Sequence, residues 1–345
     1  MTHDSIIRNI KWRLGRLFYS KNLQEWQQVL FLNEDFRKGR IIALQEYSTD
    51  VPIINVEKKR AICIFDGKIK NGGLADRLRG IISVYEVCKE LGLEFKILFN
   101  NPFNLDEYLE PNKIDWHIPE QNLNYNTRTT DICYIDTLSD SDYEAKEQKK
   151  WFKKEFKRNF KEFHVRSNAF FSYHGNYSVL FQELFKPAPR LQEKIDLYKG
   201  ILGEEYISTS FRFLDLLDDF NEPFGTKKVL NEKEKEELIQ CNIAQIKKLH
   251  KQFPDRIILV NSDSTIFLQA ASEIEYTYVI PGDITHIEGN GKGNKYDVYE
   301  KTFIDFFMIA NASRIYLLKT GIMHNSGYPY AASLIYNRPF EKIEF

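Results

Sequence analysis

A strand, two adjacent glycines, a helix and a second strand follow one another between Ala61 and Phe99, and this unit constrains the fold more than any other stretch. The apolar run AICIF predicts a buried strand. Apolar residues then recur at helical spacing from Leu74 to Leu91, and Gly92 follows as a helix C-cap. The run EFKILF predicts the next strand. Such a unit is the building block of a parallel sheet, so we expect an α/β fold.

A second α/β run begins near Ile201. Strands are predicted in EEYISTSFRF, DRIILVNSDS, TYVIP and SRIYLL, with helices in the stretches between and after them. We expect two Rossmann-like α/β domains, since two such sheets in one chain leave a cleft between them. Ligands of open α/β sheets bind beyond the carboxyl ends of the strands, so we expect the site in that cleft. The predicted division is an N-terminal helical extension (1–60), a first domain (61–200) and a second domain (201–345), with the prolines of LFKPAPRLQEKI near the junction.

Two basic amphipathic stretches accompany these units. In SIIRNIKWRLGRLF, within residues 1–20, and in KKWFKKEFKRNFKEF, at 149–163, apolar residues recur at helical spacing with lysines and arginines between them. The first fits a helix docked on its own domain or one that contacts an anionic membrane. The second fits a solvated surface helix, with a membrane-facing helix next and a nucleic-acid site as the weakest alternative.

The composition argues against several classes of protein. The 345 residues carry a formal net charge of −1, which provides no global attraction for nucleic acid. The cysteines form no CxxC pair and the histidines are dispersed, which argues against a disulfide framework or a zinc site and favours a reducing compartment. We expect a cytoplasmic protein, because the first residues are too charged for a signal peptide and no stretch approaches the roughly eighteen apolar residues of a membrane span.

Gly72 and Gly73 lie between the end of a predicted strand and the start of a predicted helix. Glycine permits close approach of a ligand. A helix N-terminus also offers free N–H groups and a positive dipole end to a phosphate or carboxylate. A plain tight turn is the alternative, since the spacing in GGLADR differs from that of a dinucleotide-binding loop.

Arg212 ends a predicted strand and is followed by several carboxylates. An arginine at a strand end in a cleft suits a diphosphate, because the guanidinium matches two oxygens at once. The alternative is an Arg–Asp ion pair that closes a loop. The neighbouring carboxylates are candidates for a general base: Asp215, Asp218, Asp219 and Glu222.

Two further polar loops follow predicted strands. Ser262–Ser264 precede a helix, where one side chain caps the helix and its neighbours remain available to a nucleoside. His324, Ser326 and Gly327 precede the last helix, whose start is a second seat for an anion. His324 is a phosphate donor or a structural histidine. The DSD at 140–142 imitates a metal-binding motif, but its acidic surroundings favour a solvated loop, so we predict no metal.

Taken in order, these loops make the chain resemble the fucosyltransferase-like superfamily, which includes the bacterial nodulation fucosyltransferase, the α-1,2 and α-1,6 fucosyltransferases and the protein O-fucosyltransferases. The family's GGLG(D/N)-R/Q-L loop reads NGGLADRLRG here, and its H-x-R-R-x-D motif reads SFRFLD. Its T/S-D-D/S strand end is Ser262–Ser264, and its small-residue turn near the C terminus reads SGYPYAA. The similarity covers about residues 61–345.

The resemblance implies a GT-B architecture and an inverting, metal-independent transfer from a GDP-sugar, typically GDP-L-fucose. The C-terminal domain would bind this donor, and the N-terminal domain would hold most of the acceptor site. Arg212 matches the arginine that meets the donor's pyrophosphate, where a cation stabilises the leaving diphosphate. The candidate donor-binding residues are Gly72, Gly73, Leu74, Arg77, Ser210, Arg212, Ser262, Asp263, Ser264, His286, His324, Asn325, Ser326 and Gly327.

The chain departs from the family's pattern at two positions. Ser210 stands where the family has a histidine, and Phe213 stands where it has a second arginine. A different nucleotide sugar is therefore an alternative donor, and His286 and His324 are candidates to compensate. No motif marks the base that activates the acceptor, for which our candidates are Asp218, Asp219 and Glu222.

We therefore predict a cytoplasmic glycosyltransferase of surface polysaccharide assembly, a fucosyltransferase whose acceptor is carried by a lipid. Contact with the inner face of the membrane through 1–20 and 149–163 would serve that acceptor. Two alternatives stay open. One is another nucleotide-dependent α/β enzyme, and the other is a non-catalytic nucleotide- or glycan-binding module of the same fold, which Ser210 and Phe213 favour.

Overall fold

The computed structural model describes residues 44–69, 71–133, 142–166, 175–219, 230–285, 287 and 296–345. The predicted helix within 1–20 lies outside these residues. Over the described ranges, no helix combines the length and the apolar character needed to cross a membrane.

The strands and helices alternate along most of the described chain. The strands are β1 (Arg60–Phe65), β2 (Glu94–Phe99), β3 (Leu109–Pro111), β4 (Thr130–Cys133), β5 (Glu162–Val165), β6 (Phe185–Pro187), β7 (Ile207–Phe211), β8 (Ile258–Ser262), β9 (Thr277–Tyr278), β10 (Arg314–Lys319) and β11 (Phe340–Glu344). The helices are α1 (Leu74–Leu91), α2 (Asp142–Glu155), α3 (Tyr177–Leu184), α4 (Pro189–Leu202), α5 (Glu232–Gln252), α6 (Thr265–Ser272), α7 (Tyr296–Asn311) and α8 (Tyr328–Ile335).

The N-terminal lobe is built on a parallel sheet with the strand order β2-β1-β5-β4. The predicted β1-α1-β2 unit is confirmed. Helix α1 is buried around most of its circumference, with every residue from Arg77 to Tyr85 buried. Gly92 ends the helix in the left-handed region at φ 66°, which glycine adopts without a steric cost.

The prediction of one helix over 149–163 is wrong in its second half. Helix α2 ends at Glu155, and Phe163 belongs to β5, a central strand of the sheet. The phenylalanines recur at a spacing that imitates a helix, but β5 pairs with both β1 and β4, and this pairing decides the conformation. Phe152 and Phe156 on and beside α2 are buried in the core. Lys149 and Lys153 pair with Glu90 of α1, and the other described lysines of the helix are exposed.

The C-terminal lobe is built on a second parallel sheet, with the order β11-β10-β7-β8-β9. The four predicted strands are present, and β11 is an additional edge strand that the sequence analysis did not predict. Helix α5 begins with a capping box, in which the side chains of Asn231 and Glu234 each accept a hydrogen bond from the other residue's backbone N–H.

A common hydrophobic core joins the two lobes. Tyr108, next to β3 in the N-terminal half, stacks on Phe303 of α7 with ring centroids 4.2 Å apart. Its hydroxyl donates to the carbonyl of Tyr296 at 2.5 Å. Helix α8 packs against α1, α3 and α7. The domain boundary predicted at residue 201 falls inside α4, close to its C-terminal end.

The topology brings the predicted site loops together. Because β7, β8 and β10 are parallel, their carboxyl ends meet at one edge of the second sheet. The segments after Phe211, Ser262 and Lys319 therefore lie side by side. The first turn of α1 contributes to the same space from the other lobe.

Candidate active site

A cavity of about 790 Å³ lies between the first turn of α1 and the carboxyl edge of the second sheet. The N-terminal lobe lines it with residues 73–76, and the C-terminal lobe supplies the remaining wall, including part of α7 and the loop at 283–285. Nine of the predicted donor-binding residues line this cavity: Gly73, Leu74, Ser210, Arg212, Ser262, Asp263, His324, Ser326 and Gly327.

Arg212 follows β7 directly and lies on the cavity wall. Its Nη1 is 3.3 Å from Oδ2 of Asp263; the Arg212 side chain is 19% exposed, whereas that of Asp263 is 2% exposed. The carbonyl oxygen of Arg212 accepts a hydrogen bond from the amide of His324 at 3.1 Å. An acid on the protein side thus orients the guanidinium, which still reaches the cavity.

Asp263 holds the turn that carries Arg212. Its two carboxylate oxygens accept hydrogen bonds from the backbone amides of Phe213 and Leu214, each at 2.8 Å. Leu214 has φ 56°, a left-handed conformation that costs energy for a side chain of this size. Burial raises the pKa of Asp263, while Arg212 and the two amides act in the opposite direction. Asp263 thus acts on the cavity mainly by positioning Arg212.

Ser210 and Asn261 lie side by side in the cavity floor, where β7 and β8 pair. The side-chain amide of Asn261 donates to the hydroxyl of Ser208 at 3.1 Å. Among the described residues, Oγ of Ser210 and Oδ1 of Asn261 have no hydrogen-bond partner. Two buried polar atoms in this state are candidates to receive hydrogen-bond donors of a ligand.

The loop after β8 mainly caps helix α6. Oγ of Ser264 accepts from the amide of Phe267 at 3.1 Å and donates to Oδ2 of Asp219 at 2.8 Å. The same Asp219 oxygen accepts from the hydroxyl of Thr265 at 3.1 Å and from the amide of Ile266 at 2.9 Å. Ser264 and Asp219 therefore stabilise the start of a helix, and neither lines the cavity.

The three carboxylates predicted as bases that fall within the described residues do not line the cavity. Asp215 is buried in a short 3₁₀ turn, and Asp218 is exposed with φ 60°. Neither belongs to the cavity lining, and Asp219 is occupied at α6. Glu222 and His286 lie outside the described residues.

The loop after β10 forms the wall beside Arg212. His324, Ser326 and Gly327 line the cavity, whereas Asn325 between them does not. Gly327 is the N-cap residue of α8, so the positive end of that helix lies at the cavity, although the amide of Tyr328 donates to Oγ of Ser326 at 3.3 Å and Pro329 has no N–H. Burial and then the positive charge of Arg212 lower the pKa of His324.

The two glycines of the first loop take different positions. Gly73 is the N-cap of α1 and lines the cavity, and a Cβ built on it would meet no atom of the described residues within 4 Å. Gly72 is buried, and its carbonyl accepts from Nε of Arg77 at 2.8 Å. Arg77 is itself buried and donates also to the carbonyl of Asn101 at 2.9 Å. Arg77 thus braces the loop from behind, and the open space in front of Gly73 belongs to the cavity.

Four charged lining residues were not among the predicted site residues. Lys301 and Asp305, one turn apart on α7, form an ion pair in which Nζ lies 2.9 and 2.8 Å from the two carboxylate oxygens. Burial raises the pKa of Asp305, and Lys301 opposes this rise. Asp76 and Asp283 complete the group. A lysine and an aspartate on the apolar helix KTFIDFFMIANA were the available sequence signal.

The cavity can hold an anionic ligand with polar extensions. Along the C-terminal wall, Arg212 and Lys301 provide positive charge, His324 provides its ring nitrogens, and the start of α8 provides the positive end of a helix dipole. Within the described ranges, no group of three His, Cys, Asp or Glu side chains is arranged to hold a metal ion.

Comparison with known proteins identifies structures of the same fold. No family model and no curated protein matches the sequence. The NodZ α-1,6-fucosyltransferase soaked with GDP-fucose has a TM-score of 0.51 at 11% identity, covering 81% of this chain and 93% of that chain. A structure of NodZ from Bradyrhizobium has the same score, identity and coverage. A mutant of FUT1 from Arabidopsis thaliana in complex with GDP has a TM-score of 0.50 at 13% identity, covering 88% of this chain and 74% of that chain.

These likenesses extend over most of the chain and include both lobes. They confirm the predicted α/β class and, at the level of the fold, the resemblance stated from the sequence motifs. The chain has the two-lobed GT-B fold of these fucosyltransferases.

Proposed function

We propose that the chain is a glycosyltransferase that transfers a sugar, L-fucose, from a GDP-sugar donor with inversion of configuration. The observation that carries this proposal is Arg212, held by Asp263 at a sheet edge and facing an interlobe cavity beside His324 and the start of α8. GDP-fucose and GDP are the ligands of the NodZ and FUT1 structures that share this fold, which supports the same donor class here.

The positive groups of the C-terminal wall would stabilise the leaving diphosphate. As the bond between the sugar and the phosphate oxygen breaks, negative charge builds on the diphosphate, and preorganised donors lower the energy of that state. Arg212 supplies a two-pronged cation, and the start of α8 adds the positive end of its helix dipole. In our proposal these groups perform the task that a divalent cation performs elsewhere, so transfer would proceed without a metal.

A thermal-shift panel of nucleotides and nucleotide sugars tests the donor class, because stabilisation reports affinity. We expect GDP and GDP-L-fucose to raise the melting temperature more than UDP or NAD does. In Arg212→Ala, GDP release from GDP-L-fucose should fall by about 10²–10³-fold, the effect of losing one such donor.

Arg190→Ala is the matched control, because Arg190 is a surface arginine of α4 that pairs with Asp297 away from the cavity. Its turnover should equal that of the wild type. A preference for NAD or UDP, or full turnover in Arg212→Ala, would remove the proposal.

A non-catalytic nucleotide-binding module of the same fold is the second candidate. Phe213, at the position of the family's second arginine, is buried and packs on Phe267 with ring centroids 4.9 Å apart. The wall thus has one arginine at this turn. GDP binding without any release of GDP from GDP-L-fucose, in the presence of trial glycoside acceptors, would favour this candidate.

We further propose that the acceptor belongs to surface polysaccharide assembly, is carried by a lipid and is reached from the cytoplasmic face of the membrane. Because Phe152 and Phe156 are buried, they do not insert into a membrane, and we expect α2 to contact its surface electrostatically. Its solvent face and the turn after it expose lysines, each worth about 1 kcal/mol near an anionic surface: Lys146, Lys150, Lys154, Lys157 and Lys161.

Vesicle binding tests this surface. Replacing Lys150, Lys154 and Lys157 by glutamate should lower sedimentation with phosphatidylserine vesicles and leave GDP binding intact. The same change at Lys247, Lys248 and Lys251 of α5, also exposed, is the charge-matched control. Equal losses in both triple variants would show a general charge effect and dismiss α2 as the docking face.

A further inference from the structure

A transfer of the proposed kind needs a base, and the cavity contains only certain carboxylates. The acceptor hydroxyl must lose its proton as its oxygen attacks the sugar, and a carboxylate is a usual recipient. Among the described residues, the carboxylates that line the cavity are Asp76, Asp263, Asp283 and Asp305. The inference that follows rests on the proposed function.

Two of these four carboxylates are occupied by donors of the protein. Asp263 accepts two backbone amides at 2.8 Å each and pairs with Arg212. Asp305 has both oxygens within hydrogen-bond distance of Nζ of Lys301. Both of these carboxylates, like Asp283, belong to the C-terminal lobe.

The remaining two carboxylates lie on different lobes. Asp283 follows β9 in the C-terminal lobe. The neighbouring Gly282 packs against the side chain of Lys301, since a Cβ added to this glycine would lie 3.0 Å from Cδ of the lysine. Asp76 lies in the first turn of α1. Of the described residues, it is the carboxylate that the N-terminal lobe contributes to the cavity.

The direction of attack distinguishes the two lobes. In an inverting displacement the nucleophile approaches the sugar carbon from the side opposite the leaving group. The leaving diphosphate would lie against Arg212, His324 and the start of α8, all on the C-terminal wall. The base must therefore come from across the cavity, where Asp76 lies.

The side chain of Asp76 is both reachable and held in place. It is 38% exposed, and its Oδ1 is 3.7 Å from Nη2 of Arg79, whose side chain is 9% exposed. Arg79 lies three residues further along the same helix, at a spacing where side chains meet, so the contact positions the carboxylate at the cavity rim. Gly73, with open space in front of it, leaves room beside Asp76 for the acceptor.

We propose that Asp76 is the general base of the transfer. A carboxylate oxygen of Asp76 takes the proton of the acceptor hydroxyl while the hydroxyl oxygen forms a bond to the anomeric carbon. The bond from that carbon to the phosphate oxygen breaks, and its electron pair leaves with the diphosphate against Arg212. No oxidant, reductant or further reactant takes part.

The test compares Asp76→Asn with Asp297→Asn in the full chain, because Asp297 also lies in the first turn of a helix and pairs with an arginine but does not line the cavity. The assay is GDP release from GDP-L-fucose, with water alone and with lactose or p-nitrophenyl glycosides as trial acceptors. We expect Asp76→Asn to lower turnover by about 10²–10⁴-fold, the contribution of a general base. GDP should still raise its melting temperature as in the wild type, and Asp297→Asn should keep its turnover. Asp76→Glu, which retains a carboxylate, should recover part of the rate.

The pH profile separates a base from a structural carboxylate. In the wild type, turnover should fall at acid pH as the base is protonated, and this limb should be absent from the residual activity of Asp76→Asn. Wild-type turnover in Asp76→Asn, or a joint loss of turnover and GDP binding, would overturn the assignment. A wild-type protein that neither binds nor cleaves GDP-L-fucose would refute the proposed function itself, which is a separate result.

Discussion

The two lobes each place an Arg–Asp pair at the carboxyl edge of a parallel sheet, and the pairs differ in what covers them. In the N-terminal lobe, Arg166 follows β5 and Asp66 follows β1, with Nη1 2.7 Å from Oδ2 and side-chain exposures of 1% and 5%. In the C-terminal lobe, the distance between Arg212 and Asp263 is 3.3 Å and the arginine is 19% exposed. The same pair of residue types is thus sealed in one lobe and open in the other.

A segment upstream of β1 seals the first pair. The hydroxyl of Tyr47 lies 3.4 Å from Nε of Arg166 and 2.6 Å from Nδ1 of His164. The other ring nitrogen of His164 lies 2.6 Å from Oε1 of Glu162. Burial raises the pKa of Tyr47 to about 12 and lowers that of His164, so both remain neutral at physiological pH.

The difference shows what an arginine at a sheet edge is for. Arg166 has its charge balanced inside the protein and no route to solvent, so it holds the lobe together. Arg212 has one face on Asp263 and another on the cavity, so an incoming anion can bind it. Burial of the pair, rather than the presence of the arginine, therefore distinguishes a structural ion pair from a candidate binding or catalytic site.

The largest expected effect is the loss of stability in Arg166→Ala. This change breaks a buried ion pair, which typically costs about 3–5 kcal/mol of the unfolding free energy, and Lys68, whose Nζ lies 3.4 Å from Oδ2 of Asp66, offsets part of that cost. Arg212→Ala should cost less, about 1–3 kcal/mol, because the buried Asp263 keeps its two backbone amide donors and water from the cavity can reach the place of the guanidinium. Urea unfolding of both variants measures the two free energies.

Activity must follow the opposite order for the comparison to hold. At a temperature where Arg166→Ala remains folded, it should bind GDP as the wild type does, whereas Arg212→Ala should not. Equal destabilisation in the two variants would mean that the open pair is also a structural brace, and the distinction between the edges would disappear.

The sequence predicted the open edge better than the sealed one. Arg212, Ser262 and His324 each follow a predicted strand, and parallel strands bring such residues to one edge, so their convergence could be inferred. The sealed edge depends on β5, which the spacing of its phenylalanines disguised as helix. Tyr47 lies in a segment without a periodic pattern, and nothing local indicates its contact with His164.

The roles of individual carboxylates were beyond sequence reasoning for a different reason. Asp219 was a candidate base because it follows Arg212 closely, yet it caps α6, which starts 46 residues later. Asp76 faces the cavity because the two lobes meet around it. Whether an acid is engaged in a helix cap or an ion pair depends on residues distant in the chain. The spacing of residues in the sequence does not reveal these contacts.

The smallest expected effect concerns His324, the open counterpart of His164. Burial and Arg212 lower the pKa of His324, so its imidazole is neutral at pH 7 in the free protein. A bound diphosphate would raise that pKa, because a nearby negative charge favours the protonated ring. Binding would then take up a proton, and affinity for GDP should increase severalfold as the pH falls from about 8 to about 6.

Calorimetry in two buffers of different ionisation enthalpy measures the uptake. His324→Gln should keep only the pH dependence that GDP itself contributes, whereas His250→Gln, whose ring stacks on Tyr276 away from the cavity, should behave as the wild type. If His324→Gln retains the full proton uptake, the imidazole does not contact the diphosphate. Arg212 and the start of α8 would then bind the diphosphate on that wall without it.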